Sequence, residues 1–344
     1  LRVFILKPDA IGDFILATGC IRHLARAKGE KNLVIAVRAD VAPLAATEFP
    51  EAEIIPLPLR LKRRVLNLAL VNILNCLPAW GRMSMLQVDA AICLRSMRAY
   101  LHTFFFCTPR AKRRIACENL LLANPRVRRP AVEKWMQRLF QPTLLKYPEA
   151  GCGLPLDIEA NRIVLEELLG EPVSPHEILP TLSARRGKVT DFWVLAPFSS
   201  TPSKDYPAAS WARALLEIQP HVPIRLAASP NQQESLRKFA RELLEVGLEK
   251  MDFLPPSSLP DFVQTIAAAG LVLTVDTAAA HMACATGTPA VIVSAGQHPG
   301  VYAPYSPNGR QAWLLPSADL TKGSWRQEIT SQKIALAVRK VLGQ

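Results

Sequence analysis

With 344 residues, the chain is long enough for two domains of ordinary size, each burying its own core. Apolar residues make up 49% and charged residues 20%, which excludes a disordered polypeptide, and no run of 18 uncharged apolar residues could form a membrane-spanning helix. The formal net charge of +12 is concentrated: Leu57 to Arg138 carries 16 Lys and Arg against 3 acids, so the remainder is close to neutral.

A basic window of this kind suits an acidic partner (nucleic acid, an anionic membrane face or a phosphorylated substrate), or it is a solvated face. The seven Cys are an odd number, scattered and without a CxxC pair. That argues against a disulfide framework or a zinc site and for buried thiols in a reducing cytosol.

In chain order, Arg2–Leu6 reads as a strand. Lys7, Asp9 and Asp13 fall where a signal peptide would stay apolar, so the start is expected to be a first strand and not a leader. Gly12 permits a tight turn into a helix over Phe14–Lys28, which Gly29 ends. The turn lacks GxGxxG and is no dinucleotide fingerprint. Leu33–Val37, Glu53–Pro56 and Val88–Leu94 follow as strands, and alternation with helices predicts an α/β domain.

Arg60–Trp80 interrupts the rhythm with a basic head, then mostly apolar residues to Leu77, then Pro78. Too short to span a bilayer, it either lies on one with its cations facing anionic lipid or is a buried helix. Arg110–Arg114 and Arg126–Arg129 look like basic loops, and Trp135 and Phe140 interleave them too thinly for base stacking. Asn161–Leu169 reads as a helix stopped by Gly170.

The first domain is thus expected over 1–172, a linker over 173–190 and a second domain over 191–326. A closing helix over 327–344 could pack back on the first domain or on the second. Strands of the second series are expected at Asp191–Ala196, Ile224–Ala228, Leu271–Val275, Ala290–Val293 and Trp313–Leu315. Pro197–Pro207 is a hydroxyl-rich loop with one cation, Lys204, a composition that suits a diphosphate.

Leu271–Val293 reads as strand, capped helix and strand, a βαβ unit of a parallel sheet. Asp276 and Thr277 are both good N-caps for the helix Ala278–Thr286, which Gly287 stops. Ligands of open parallel sheets sit beyond the carboxyl ends of the strands, where a helix N-terminus favours phosphate. Asp276 therefore either caps the helix or holds sugar hydroxyls.

Three stretches together resemble glycosyltransferase family 9, the lipopolysaccharide heptosyltransferases: Ile5–Leu24 with its Ile11-Gly12-Asp13 turn, Pro197–Trp211, and Asp276–Pro307. The last contains Asp276-Thr277-Ala278-Ala279-Ala280-His281, Thr286-Gly287-Thr288-Pro289 and Pro304-Tyr305. The resemblance implies an α/β protein of the GT-B fold, with two Rossmann-like domains facing across a cleft, acceptor on the first and nucleotide-sugar on the second. It implies inverting transfer without a metal or other cofactor, of heptose from ADP-heptose to a lipopolysaccharide core. Asp13 would be the general base, and Lys204, Ser199 and Ser200 would neutralise the diphosphate. Asp276 would hold donor hydroxyls, with Thr277 and Ala278 giving amides to phosphate. His281 would touch the donor or be structural.

The implied partners are a phosphorylated, lipid-linked acceptor of the Kdo and lipid A type and the anionic inner-membrane surface, not nucleic acid. The chain would then be cytoplasmic and peripheral to that membrane. Lys7, Arg60, Lys62, Arg63, Arg64, Arg113 and Arg114 are the acceptor-side candidates. The sequence departs from the family pattern at Ala278, where Gly is usual, and at Ser294–Pro299. Gln232 or Gln233 stands where a ribose-binding Glu is common, with Glu234 adjacent. Rival readings are a family member with another nucleotide-sugar and glycan acceptor, and a GT-B-like sugar-nucleotide epimerase.

Overall fold

Buried along their length at the centre of each sheet and more exposed at its edges, the strands are short. In the first half these are Val3–Lys7 (β1), Leu33–Arg38 (β2), Glu53–Leu57 (β3), Gln87–Cys93 (β4), Arg110–Cys117 (β5) and Thr143–Leu145 (β6). In the second they are Trp193–Ala196 (β7), Ile224–Leu226 (β8), Met251–Phe253 (β9), Leu271–Val275 (β10), Ala290–Val293 (β11) and Gln311–Leu314 (β12). The structure is a computed structural model and describes all residues except 60–65, 99, 119–134, 136–137, 150–152, 186–190, 298, 318–324 and 344; side chains of 66–73 and 100 are likewise left aside. It divides into two units, Leu1–Leu179 and Pro180–Gln344.

Each unit is built on one parallel sheet. The orders are β3-β2-β1-β4-β5-β6 and β12-β11-β10-β7-β8-β9. Numbered within its own unit, each is the doubly wound order 3-2-1-4-5-6, whose ligand crevice opens where the strand order reverses. That point lies between β1 and β4 in one sheet and between β7 and β10 in the other.

Several expectations need correcting. Arg110–Arg114 is not a loop but the amino-terminal half of β5, whose other half, Ile115–Cys117, is buried between β4 and β6. The high charge hides the strand, because only three of its residues need to be apolar. Helix Leu66–Met85 holds Pro78 inside it and runs past Trp80, where the expected segment ended. The closing helix is two pieces, Trp325–Glu328 and Ser331–Leu342, with Thr330 accepting the Lys333 N–H at 3.3 Å. Ile334, Ala337 and Val338 join the core built on Trp193, Leu195 and Trp211, so this helix packs on the second unit.

Residues 173–179 belong to the first unit. Their short helix Pro175–Ile178, closed by a Ser174–Glu177 capping box, presses on helix Ile11–Lys28 at Gly19. A Cβ there would lie 2.2 Å from the Ile178 carbonyl oxygen. The six described cysteines are buried and form no disulfide, and burial pushes the Cys20 and Cys117 thiols up to about 12. Among the described residues, no helix is long and apolar enough to cross a membrane.

Candidate active site at the second sheet edge

The carboxyl ends of β7 and β10 lie side by side, and the buried Thr274 ties them by donating to the Ala196 carbonyl at 2.8 Å. From this edge β7 runs into the loop ending in Lys204, and β10 runs into Asp276. Lys204 Nζ lies 3.2 Å from Asp276 Oδ2, with the two side chains 23% and 12% exposed. A cation and a carboxylate 72 positions apart in sequence thus meet at the strand-order reversal.

The loop is held by its own polar groups. Ser199 N–H donates to Asp205 Oδ1 at 2.8 Å, and Ser199 Oγ donates to the Thr201 carbonyl at 2.7 Å while accepting the Thr201 N–H at 2.9 Å. Gln232 Nε2 donates to the Ser199 carbonyl at 2.8 Å. Partial burial raises the Asp205 carboxyl above its ordinary value. Ser199 and Gln232, expected to meet the donor, therefore brace the loop with these groups, whereas Ser200 is exposed. Lys204 sits in the single turn Pro202–Lys204.

Sequence reasoning missed Arg326. Its Nε donates to the Asp205 carbonyl and its Nη2 to the Ser203 carbonyl, both at 2.9 Å, and its guanidinium lies 4.7 Å from the Trp325 ring centroid. No local pattern could have shown it, because the partners lie over 120 positions away and are backbone atoms.

Helix Ala278–Thr286 opens with Thr277 as N-cap in extended geometry, without a side-chain capping bond. Asp276 is not the cap, which decides one of the open readings: its carboxylate pairs with Lys204. Among the described residues no side chain is seen accepting from the first-turn amides, of which Ala280 N–H donates to the Thr277 carbonyl at 3.0 Å, and a helix start open in this way favours an anion. Ala278 takes ordinary helical geometry, so its Cβ brings no backbone strain.

His281 is buried, its Nδ1 lying 3.1 Å from Tyr305 Oη and its ring stacked on Tyr305 at 5.8 Å and 18°. Trp313 Nε1 donates to the Tyr305 carbonyl at 2.8 Å, completing an aromatic cluster that favours the structural reading of His281. Burial and the neighbouring Cys284 and Asp276 hold the Tyr305 hydroxyl well above its ordinary value. Gln297, in the departing Ser294–Pro299 segment, reaches Ser203 Oγ at 3.5 Å; His298 lies outside the described residues.

In the first unit, Asp13 lies in the first turn of helix Ile11–Lys28, just beyond the carboxyl end of β1, and is partly exposed. Lys7, expected on the acceptor side, is 1% exposed. Its Nζ donates to the Leu94 carbonyl at 2.6 Å and lies 3.3 Å from Asp157 and 3.4 Å from Asp9. Ser96 Oγ donates to Asp157 at 3.2 Å, and Arg95 pairs with Asp9. Lys7 is therefore an internal cation.

Arg113 and Arg114 sit level with Val3 and Phe4 through Ala90 and Ala91, at the opposite end of the sheet from Asp13. Arg113 pairs with Glu167 at 3.1 Å, and Arg114 Nη2 donates to the Pro109 carbonyl at 2.6 Å. Arg60, Lys62, Arg63, Arg64 and Arg126–Arg129 lie outside the described residues. Among the described residues, no group of three or more His, Cys, Asp or Glu is placed to hold a metal ion.

The family model of glycosyltransferase family 9 (heptosyltransferase) matches residues 109–328. No curated protein sequence matches the chain. Among solved structures, Escherichia coli heptosyltransferase WaaC with ADP is 15% identical, with a TM-score of 0.72 over 99% of this chain and 100% of that one. E. coli ADP-heptose lipopolysaccharide heptosyltransferase II is 16% identical, with a TM-score of 0.69 over 100% and 99%. A family 9 glycosyltransferase from Veillonella parvula is 13% identical, with a TM-score of 0.74 over 99% and 97%. Identities this low speak for the fold alone: two parallel α/β sheets of the GT-B kind. The family model, matched over more than half the chain, speaks for descent: the chain belongs to glycosyltransferase family 9 and is a glycosyltransferase.

Proposed function

We propose that the chain moves a heptosyl group from ADP-heptose, with inversion and without a metal ion, onto a hydroxyl of a phosphorylated, lipid-linked core glycan of the Kdo and lipid A type, working at the cytoplasmic face of an anionic inner membrane. The observation that carries this reading is the partly buried Lys204–Asp276 pair beside a helix start whose N-cap makes no side-chain bond. A diphosphate placed there would draw the Lys204 ammonium from Asp276 and accept first-turn amides of Ala278 and its neighbours, leaving Asp276 to accept sugar hydroxyls. The ADP carried by the WaaC structure supports adenine as the donor base.

In the transfer, the acceptor oxygen forms a bond to the anomeric carbon as the bond from that carbon to the β-phosphate oxygen breaks. Asp13 takes the acceptor proton, and the departing ADP carries the electron pair. The charge grows on the phosphate oxygen, where Lys204 and the helix amides stabilise it more in the transition state than in the ground state. Ser200, exposed in the same loop, supplies a hydroxyl donor to the diphosphate. Ser199 and Gln232 act by fixing the loop that presents Lys204, and Thr277 by presenting the amides that follow it.

The test is product analysis. Purified protein with ADP-heptose and a Kdo-containing lipid acceptor should yield ADP and an acceptor heavier by one heptosyl residue, with the anomeric configuration inverted by NMR and the yield unchanged by a chelator. Transfer from UDP-, GDP- or CDP-sugars instead would replace the donor, and retained configuration would overturn the mechanism.

A further inference from the structure

Over Leu74–Met85, helix Leu66–Met85 buries one face and leaves the opposite one to solvent, yet the solvent-directed face is apolar too. Cys76, Ala79 and Met83 point into the core of the first unit. On the far side Leu74 is 62% exposed, Leu77 46% and Met85 76%, and Pro78 and Gly81 fill the same face. Trp80, 40% exposed, borders it and stacks on Phe104, also 40% exposed, at 6.3 Å and 24°. Asn75 and Arg82 border this face on the other side, Arg82 pairing with Glu53 at 3.0 Å; an exposed apolar strip with a polar rim of this kind marks an interaction surface.

Charge identifies the occupant. Four cations, Arg60, Lys62, Arg63 and Arg64, precede the helix within six residues of Leu66. Apolar side chains beside a polybasic run are the pair of signals that stable binding to an anionic bilayer requires, and a Trp at the border is the usual interfacial anchor.

We propose that the outer face of the helix over Leu74–Met85, extended by Phe104, docks on an anionic lipid bilayer. The surface stands on these side chains alone, while the choice of a bilayer over another occupant rests also on the lipid-linked acceptor proposed above. Docking here would leave the second unit's Lys204–Asp276 site untouched, so the two readings can fail separately.

The full chain should cosediment with phosphatidylcholine vesicles containing about 30% phosphatidylglycerol and not with phosphatidylcholine alone, and high salt should weaken the binding. The double variant Leu77→Glu/Met85→Glu, and independently Leu74→Gln, should lower vesicle binding, the first by at least about tenfold. Both should keep the wild-type circular dichroism and the same thermal response to ADP, because the changed side chains are exposed. Undiminished binding in both variants would overturn the proposal. So would a dimer, seen by light scattering and split by the same variants, in a protein that ignores vesicles: the face would then meet a second copy. Loss of the ADP response in the wild type would speak against the donor site and leave the docking result standing.

Discussion

The two sheets share one strand order and differ in what stands at the reversal point. In the first, Lys7, Asp9, Asp157, Ser96 and Arg95 close on one another, and Lys7 is 1% exposed. In the second, a single cation and a single carboxylate meet with 23% and 12% of their side chains exposed, beside a helix start that no side chain caps. Asp13 aside, the first edge uses its charges within the fold, and the second keeps them within reach of solvent. Identical topology thus gives different chemistry, because function resides in the side chains at the edge and not in the strand order.

That contrast can be broken by substitution. Asp13→Asn keeps the shape of the first-turn side chain and removes the proposed base, so turnover should fall about 10²–10⁴-fold with nucleotide stabilisation unchanged. Lys7→Met should act differently. Leaving Asp9 and Asp157 buried without their central cation should cost about 3–5 kcal/mol in urea unfolding. If Lys7 were instead an acceptor contact, KM would rise with stability intact.

His102 sharpens the picture of the first unit's interior. Burial first, then the neighbouring Arg95 and Arg98, lowers its pKa from 6.5 to about 3. The folded chain keeps this imidazole neutral while the unfolded chain takes up a proton below about pH 6.5. The unfolded state therefore binds more protons, and stability should fall as pH drops from about 6.5 towards 3, by a few kcal/mol in all. His102→Gln should flatten that part of the profile. The smallest effect belongs to the surface: Arg113→Ala, losing an exposed pair with Glu167, should change stability by less than about 0.5 kcal/mol and leave turnover alone.

Much of the fold was legible where apolar period and punctuation agree. Helix Ala278–Thr286 between Thr277 and Gly287, and the strands at 271–275 and 290–293, stand as read. Strands β6 and β9, three residues each, were too short to show a period, and β5 was hidden by Arg110–Arg114. At the candidate site, the residue types at Lys204 and Asp276 were legible but not their contact. The bracing roles of Ser199, Gln232 and Arg326 depend on backbone carbonyls brought close only by the finished fold. Lys7 misled for the same reason: a cation at a strand end looks available until Asp157, 150 positions away, folds onto it.

The most direct measurement is the thermal stability of the purified protein with ADP, UDP, GDP and CDP in turn, repeated on Lys204→Ala and Asp276→Ala. A nucleotide at a hundredfold excess over its Kd should stabilise the chain by about 2.7 kcal/mol. The account predicts a shift with ADP that Lys204→Ala abolishes. Asp276→Ala, which keeps the phosphate contacts, should retain a shift with ADP but lose the extra stabilisation given by ADP-heptose. An ADP shift of the same size in Lys204→Ala, or no shift with any nucleotide, would contradict the placing of the donor at the edge of the second sheet.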